Sequence, residues 1–113
     1  MKALKITAEG TVEQVEVNGW EDYKTHVGTG DGGLLQFLQL TDDASAWIDE
    51  EGKLKGMPFN ALATELCSHL QVGLAPTDFI NGTMLVVGSD EDGESTDCPD
   101  HILNSLKLIS NSG

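Results

Sequence analysis

Apolar and polar positions alternate at the start of the chain: Leu4 and Ile6 flank Lys5, which predicts a strand over Lys2 to Thr7. A turn at Gly10 leads into Val12 to Val17, where Val15 and Val17 share one face, so the two segments are expected to pair as a hairpin. The period then changes. Trp20, Tyr23 and Val27 recur at spacings of three and four, which predicts a short helix over Trp20 to Val27, closed by Gly28. Beyond a glycine-rich connection at 28–33, Leu34 to Leu40 is an almost continuous apolar run of strand length, expected to lie centrally in a sheet.

Ala46-Trp47-Ile48 is read as a further strand. Asp49-Glu50-Glu51-Gly52 is read as a reverse turn in which the glycine supplies a positive φ. Pro58 sets the approach to a helix capped by Asn60, with Leu62, Leu66 and Leu70 four apart and Ala63 and Cys67 widening the stripe. After a turn region at 73–78 containing Pro76, Phe79-Ile80 and Thr83 to Val87 form the strongest strand pattern, interrupted at Asn81-Gly82. Asp90-Glu91-Asp92-Gly93 repeats the acidic turn chemistry. Thr96 to Pro99 then opens a last helix that buries Ile102, Leu103, Leu106 and Ile109. Strands clustered early and helices interspersed irregularly predict an α+β domain: a mostly antiparallel sheet of about five short strands with two to three helices. Residues 1–110 are expected to form a single globular domain and 111–113 a frayed tail.

Composition narrows the function classes. The 113 residues carry nineteen acidic and six basic side chains, a formal net charge of −13. All the basic residues are lysines, scattered at 2, 5, 24, 53, 55 and 107. Without arginine there is no bidentate fork for phosphate, so direct nucleic-acid binding is disfavoured, and an anionic membrane would repel the chain. The charge favours solubility, adaptation to salt, or steered approach to a basic protein surface, including mimicry of nucleic acid. With no leader-like start, no long apolar span and only two cysteines, a cytoplasmic setting is expected.

Candidate chemistry is sparse. The glycines at 28–33 run from a helix into a strand, the reverse of a phosphate loop, and Asp31 would repel an anion there. Cys67, His69, Cys98 and His101 are zinc-compatible types without knuckle spacing, and Cys67 sits on an apolar stripe. Cys98 lies beside a helix start, which lowers a thiol pKa, while Asp97 and Asp100 act in the opposite sense. Asp90, Asp92, Glu94 and Asp97 crowd one loop, but Gly93 stands fourth where an EF-hand needs its glycine sixth. No nucleophile elbow, metalloprotease helix or kinase motif occurs. No catalytic residue, metal or cofactor is therefore expected.

Several stretches together carry a resemblance. The start Met1 to Ile6, Val15-Glu16-Val17, Tyr23 to Gly28, the run Trp47 to Asn60 with its acidic turn and Gly-x-Pro-x-Asn step, Ala63-Thr64, and Gly82 to Gly88 together resemble a family of small phage proteins. That family also occurs on other mobile elements and in some bacteria and archaea, and is catalogued only as a domain of unknown function. The similarity covers most of residues 1–94 and departs at Thr29 to Gly33, where a loop enlargement is suspected. It implies a protein made in an infected microbial cytoplasm and directed at a host factor.

Taken together, the sequence predicts a phage-type accessory protein that binds a host or phage protein without catalysis, through an acidic surface formed by Asp49, Glu50, Glu51, Asp90, Glu91 and Asp92. A role against host defence fits that setting. A binder of a small molecule or nucleotide signal at a homo-oligomer interface, and an acidic mimic of nucleic acid, are the alternatives.

Overall fold

A computed structural model of the protein describes residues 1–29, 33–52, 55–72 and 79–111. The expected α+β architecture is present. In chain order the elements are β1 (Lys2–Ile6), β2 (Val12–Glu16), α1 (Trp20–Val27), β3 (Leu35–Thr41), β4 (Ala44–Asp49), α2 (Ala61–His69), β5 (Met84–Ser89), β6 (Ser95–Thr96) and α3 (Asp100–Asn111). The strands form one antiparallel sheet in the order β2-β1-β5-β4-β3, with β6 paired to the end of β5.

The middle of the sheet is β5, because its side chains are apolar on both faces. Met84 and Val86 join Leu4, Ile6, Ala46, Leu66, Ile102 and Leu106 in a core beneath α2 and α3. Leu85 and Val87 join Ala3, Val17, Tyr23 and Val27 in a second core beneath α1. A strand packed on both faces cannot alternate apolar with polar, which is why Met84 to Val87 is a continuous run. Segments 81–82 and 79–80 do not extend β5; Asn81 instead makes an isolated bridge to Phe59, and Gly82 turns the chain at φ 83°.

The same logic corrects the placement of the Leu34 to Leu40 run. Its strand, β3, is an edge and not a central strand. Leu40 is buried on the α2/α3 side and Leu38 packs against that core, but Phe37 is 49% exposed because α1 covers only part of the opposite face.

Turn and cap chemistry follows the residues closely. Gly10, at φ 87°, closes the β1–β2 turn, and Gly28, at φ 82°, ends α1 in the left-handed conformation. Gly52 does not have the positive φ expected of it; a Cβ there would lie 3.0 Å from the carbonyl oxygen of Asn81, so close backbone approach is what the position requires. Two further expectations are adjusted. A two-residue strand, Ser95–Thr96, precedes the last helix, and Leu103 of α3 is exposed while Ile102 and Leu106 are buried. Residues 30–32 of the glycine-rich connection, 73–78 with Pro76, and 112–113 of the expected tail lie outside the described residues. No helix among the described residues is long and apolar enough to cross a membrane.

Candidate functional site

Hairpin geometry decides which acids meet. Strands β4 and β5 run antiparallel, with Ala44 opposite Gly88 and Trp47 opposite Leu85. The turn that follows β4 and the turn that follows β5 therefore lie at opposite ends of the sheet. The six residues of β4 separate them by about 17 Å. Asp49, Glu50 and Glu51 do not share a surface patch with Asp90, Glu91 and Asp92.

Both turns are built in the same way. The Oδ1 of Asp49 accepts the amide of Glu51 at 2.8 Å, and the Oδ1 of Asp90 accepts the amides of Asp92 and Glu94, each at 2.9 Å. An aspartate that bonds the backbone two residues on holds a turn without help from the rest of the fold. Their surroundings differ. The side chain of Asp49 is only 1% exposed and pairs with the Lys55 ammonium at 2.8 Å, while Lys55 also donates to the carbonyl of Thr29 at 3.1 Å. Asp49 is thus withdrawn from the expected contact surface: burial beneath a lysine gives it a structural role. Glu50, Glu51, Asp90, Glu91 and Asp92 are exposed.

The residues that the sequence reading missed are Asp42 and Asp43. They form the β3–β4 turn, and the amide of Ser89 donates to the carbonyl of Asp43 at 2.9 Å, which sets this turn beside Asp90 and Glu91. The carboxylate of Asp43 accepts from the Thr41 hydroxyl at 2.8 Å and meets the His101 Nε2 of α3 at 2.7 Å. These contacts hold its pKa below the usual carboxylate value, the Thr41 bond first. A signal was present: Thr41-Asp42-Asp43 lies between two apolar runs, where a hairpin turn belongs.

These turns border a groove of about 490 Å³ on the α1 face of the sheet. Its floor includes Phe37, Ser45, Trp47 and Ser89, and Asp42, Asp90 and Glu91 also line it. Among the described residues, no lysine or histidine lines it. Trp47 is the centre of an aromatic cluster, stacked on Tyr23 with ring centres 5.9 Å apart and met edge-on by Trp20 at 5.1 Å and Phe37 at 5.2 Å. Trp20 is 46% exposed. The indole nitrogen of Trp47 is buried and has no hydrogen-bond partner among the described residues. Carboxylates beside aromatic faces suit a cation: the carboxylate supplies charge, and the ring quadrupole supplies a flat, negative surface.

Neither cysteine lines this groove, nor does Asp97. Cys67 is fully buried in the core, and burial pushes its thiol pKa up to about 11. Cys98 is pushed up to about 12 by burial, with Asp43 and Asp100 adding to it. Asp97 accepts the amide of Lys2 at 2.7 Å and so pins the segment before α3 to β1. Among the described residues, no three His, Cys, Asp or Glu side chains gather where they could hold a metal ion.

No curated protein and no solved structure shows a significant match to the chain. A family model matches residues 1–109, nearly the whole sequence. The chain therefore belongs to the family described as Domain of unknown function (DUF3846).

Proposed function

We propose that this protein is a non-enzymatic binding protein of phage or mobile-element type, which engages a basic surface of a host or phage protein in an infected microbial cytoplasm. The observation that carries this reading is the groove: carboxylates of Asp42, Asp90 and Glu91 beside the rings of Trp47 and Phe37, with no positive residue among the described residues of the lining. A lysine or arginine of a partner finds there both a counter-charge and an aromatic face, whereas a phosphate would meet repulsion. The net charge of −13 adds long-range steering toward a basic partner. The phage setting is supported by the run Trp47 to Asn60, with its acidic turn and its step into a capped helix.

The test is affinity capture from a microbial host lysate at low and moderate salt, comparing the natural protein with the combined variant Asp42→Asn, Asp90→Asn, Glu91→Gln. Amides keep the acceptor oxygens that hold the 90–94 turn, so the variant changes charge and leaves the fold. A partner that is retained at low salt, weakened by salt and lost in the variant supports the reading. A partner held equally by the variant, or none at low salt, counts against it.

A further inference from the structure

The two edges of the sheet are unlike. At one edge, β2 carries Glu13 and Glu16, both exposed, and charged residues of this kind are the usual protection against pairing with another strand. At the other edge, β3 is Leu-Gln-Phe-Leu-Gln-Leu-Thr, seven residues without a charge, a proline or a glycine. Among the described residues nothing pairs with its outer side. Such an edge presents a row of backbone donors and acceptors at alternate residues, ready for one more strand.

Charge decides what that strand is. Asp42 and Asp43 are exposed at the C-terminal end of β3, with Asp90 and Glu91 beside them. The exposed Glu50 stands at the N-terminal end, its amide donating to the carbonyl of Leu34 at 3.0 Å. Both ends of the edge are therefore acidic. A second copy pairing antiparallel about a two-fold axis would bring Asp42 and Asp43 of one molecule against Glu50 and Glu51 of the other, a like-charge contact at each end.

We infer that the outer edge of β3 receives an extended, lysine- or arginine-bearing segment of a partner protein, which adds to the sheet as a further antiparallel strand. This deepens the preceding reading and rests on it. The strand period places alternate side chains of the segment about 6.8 Å apart on one face. On the α1 face, its basic residues lie over Phe37 and reach toward the groove acids. On the opposite face, its intervening apolar residues lie beside Leu38. Backbone bonds supply affinity and the alternating pockets supply selection, the division of labour in recognition by strand addition.

The experiment uses the full chain and two blocked peptides, acetyl-KVKVKVK-amide and the same peptide with the backbone nitrogens of its lysines methylated. The second keeps the charge and removes the donors that face β3, because a residue opposite Phe37 on the α1 face points its own amide at that strand. Binding is read by tryptophan fluorescence at low and raised salt, and the site by amide hydrogen exchange across residues 35–41. The unmethylated peptide is expected to bind, to weaken with salt and to slow exchange at alternate β3 amides, with the methylated peptide weaker by about tenfold or more. Equal binding of both peptides without slowed exchange in β3 would overturn strand addition and leave the acidic surface reading standing. Failure of both peptides to bind at low salt would overturn both. Slowed exchange of β3 that rises with protein concentration alone, in the absence of peptide, would assign the edge to a second copy and overturn the inference.

Discussion

The side-chain amide of Asn60 donates to the backbone carbonyl of Ile6, 54 residues away, at 3.0 Å. The same nitrogen donates to the carbonyl of Gly82 at 2.8 Å, and the side-chain oxygen accepts the amide of Ala63 at 3.0 Å, capping α2. One fully buried residue therefore ties the helix start to β1 and to the turn before β5. Asn60→Ala removes the cap and strands two buried carbonyls, with an expected loss of about 2–4 kcal/mol in urea unfolding. Asn60→Asp keeps an acceptor for Ala63 but turns an oxygen toward the two carbonyls. It is expected to be no more stable than the alanine variant at neutral pH. An aspartate variant as stable as the natural protein would show that the Nδ2 bonds contribute little.

A second constraint lies where β5 meets β6. A Cβ on Gly88 would collide with the carbonyl oxygen of Asp97 and the hydroxyl of Thr96. Gly88 is absent from the glycines with positive φ, so the constraint is space and not backbone conformation. Gly88→Ala is expected to push β6 off the sheet and to cost about 1–3 kcal/mol. The effect should show as a lower melting temperature and faster amide exchange at 95–97. Gly93→Ala, in open space but at φ 81°, should leave exchange at Ser95 and Thr96 largely unchanged.

Neighbouring acids should respond unequally to mutation. Asp49 is buried and paired with Lys55, which is itself 35% exposed, so removing it leaves a partly solvated lysine and an unsatisfied turn amide. Asp49→Ala is expected to cost about 2 kcal/mol, and Glu50→Ala, on the exposed turn, to fall within about 0.5 kcal/mol of the natural protein. Denaturant midpoints of the two variants measure this directly. Equal midpoints would remove the structural role from Asp49.

Asp43 couples to pH. Its folded carboxyl titrates below the unfolded one, so the stability it contributes is fully present above a pH of about 3.9 and is lost as pH falls through the lower folded value. Thr41→Val, which deletes the strongest contact, is expected to move the Asp43 titration upward in a carbon-detected NMR experiment. An unmoved titration would reject the hydrogen bond as its cause.

The thiols behave in the opposite sense. Cys67 and Cys98 ionise near 11 and 12 when folded, against about 8.5 unfolded, so stability declines as pH rises above that lower value. At pH 8 both should resist iodoacetamide in the native protein and react once unfolded, as read by mass spectrometry. Rapid native labelling of Cys98 would contradict its protonated state. Asp43→Asn should bring the Cys98 pKa down by removing one nearby negative charge.

Local chemistry was readable wherever a feature is closed by residues near one another in the chain. Helix α1 ends at Gly28 and α2 is capped by Asn60 because φ freedom and a short acceptor side chain act within one turn of helix. Both acidic turns carry their own hydrogen bond across two residues, so their existence too was written in the sequence. The strand β6 was not legible: Ser95–Thr96 has no apolar period, and its pairing comes from Gly88 lacking a side chain.

The sequence by itself determined the alternation and period of most elements, the caps and turns, and the acid excess. Order across the sheet was decided only by tertiary structure. Leu34 to Leu40 and Met84 to Val87 are both apolar runs, and an isolated run carries no mark of whether one helix layer or two will cover it. The same holds for the candidate site. Asp42 and Asp43 meet Asp90 and Glu91, and Asp49 parts from them, because antiparallel pairing of β4 with β5 sends consecutive turns to opposite ends of the sheet.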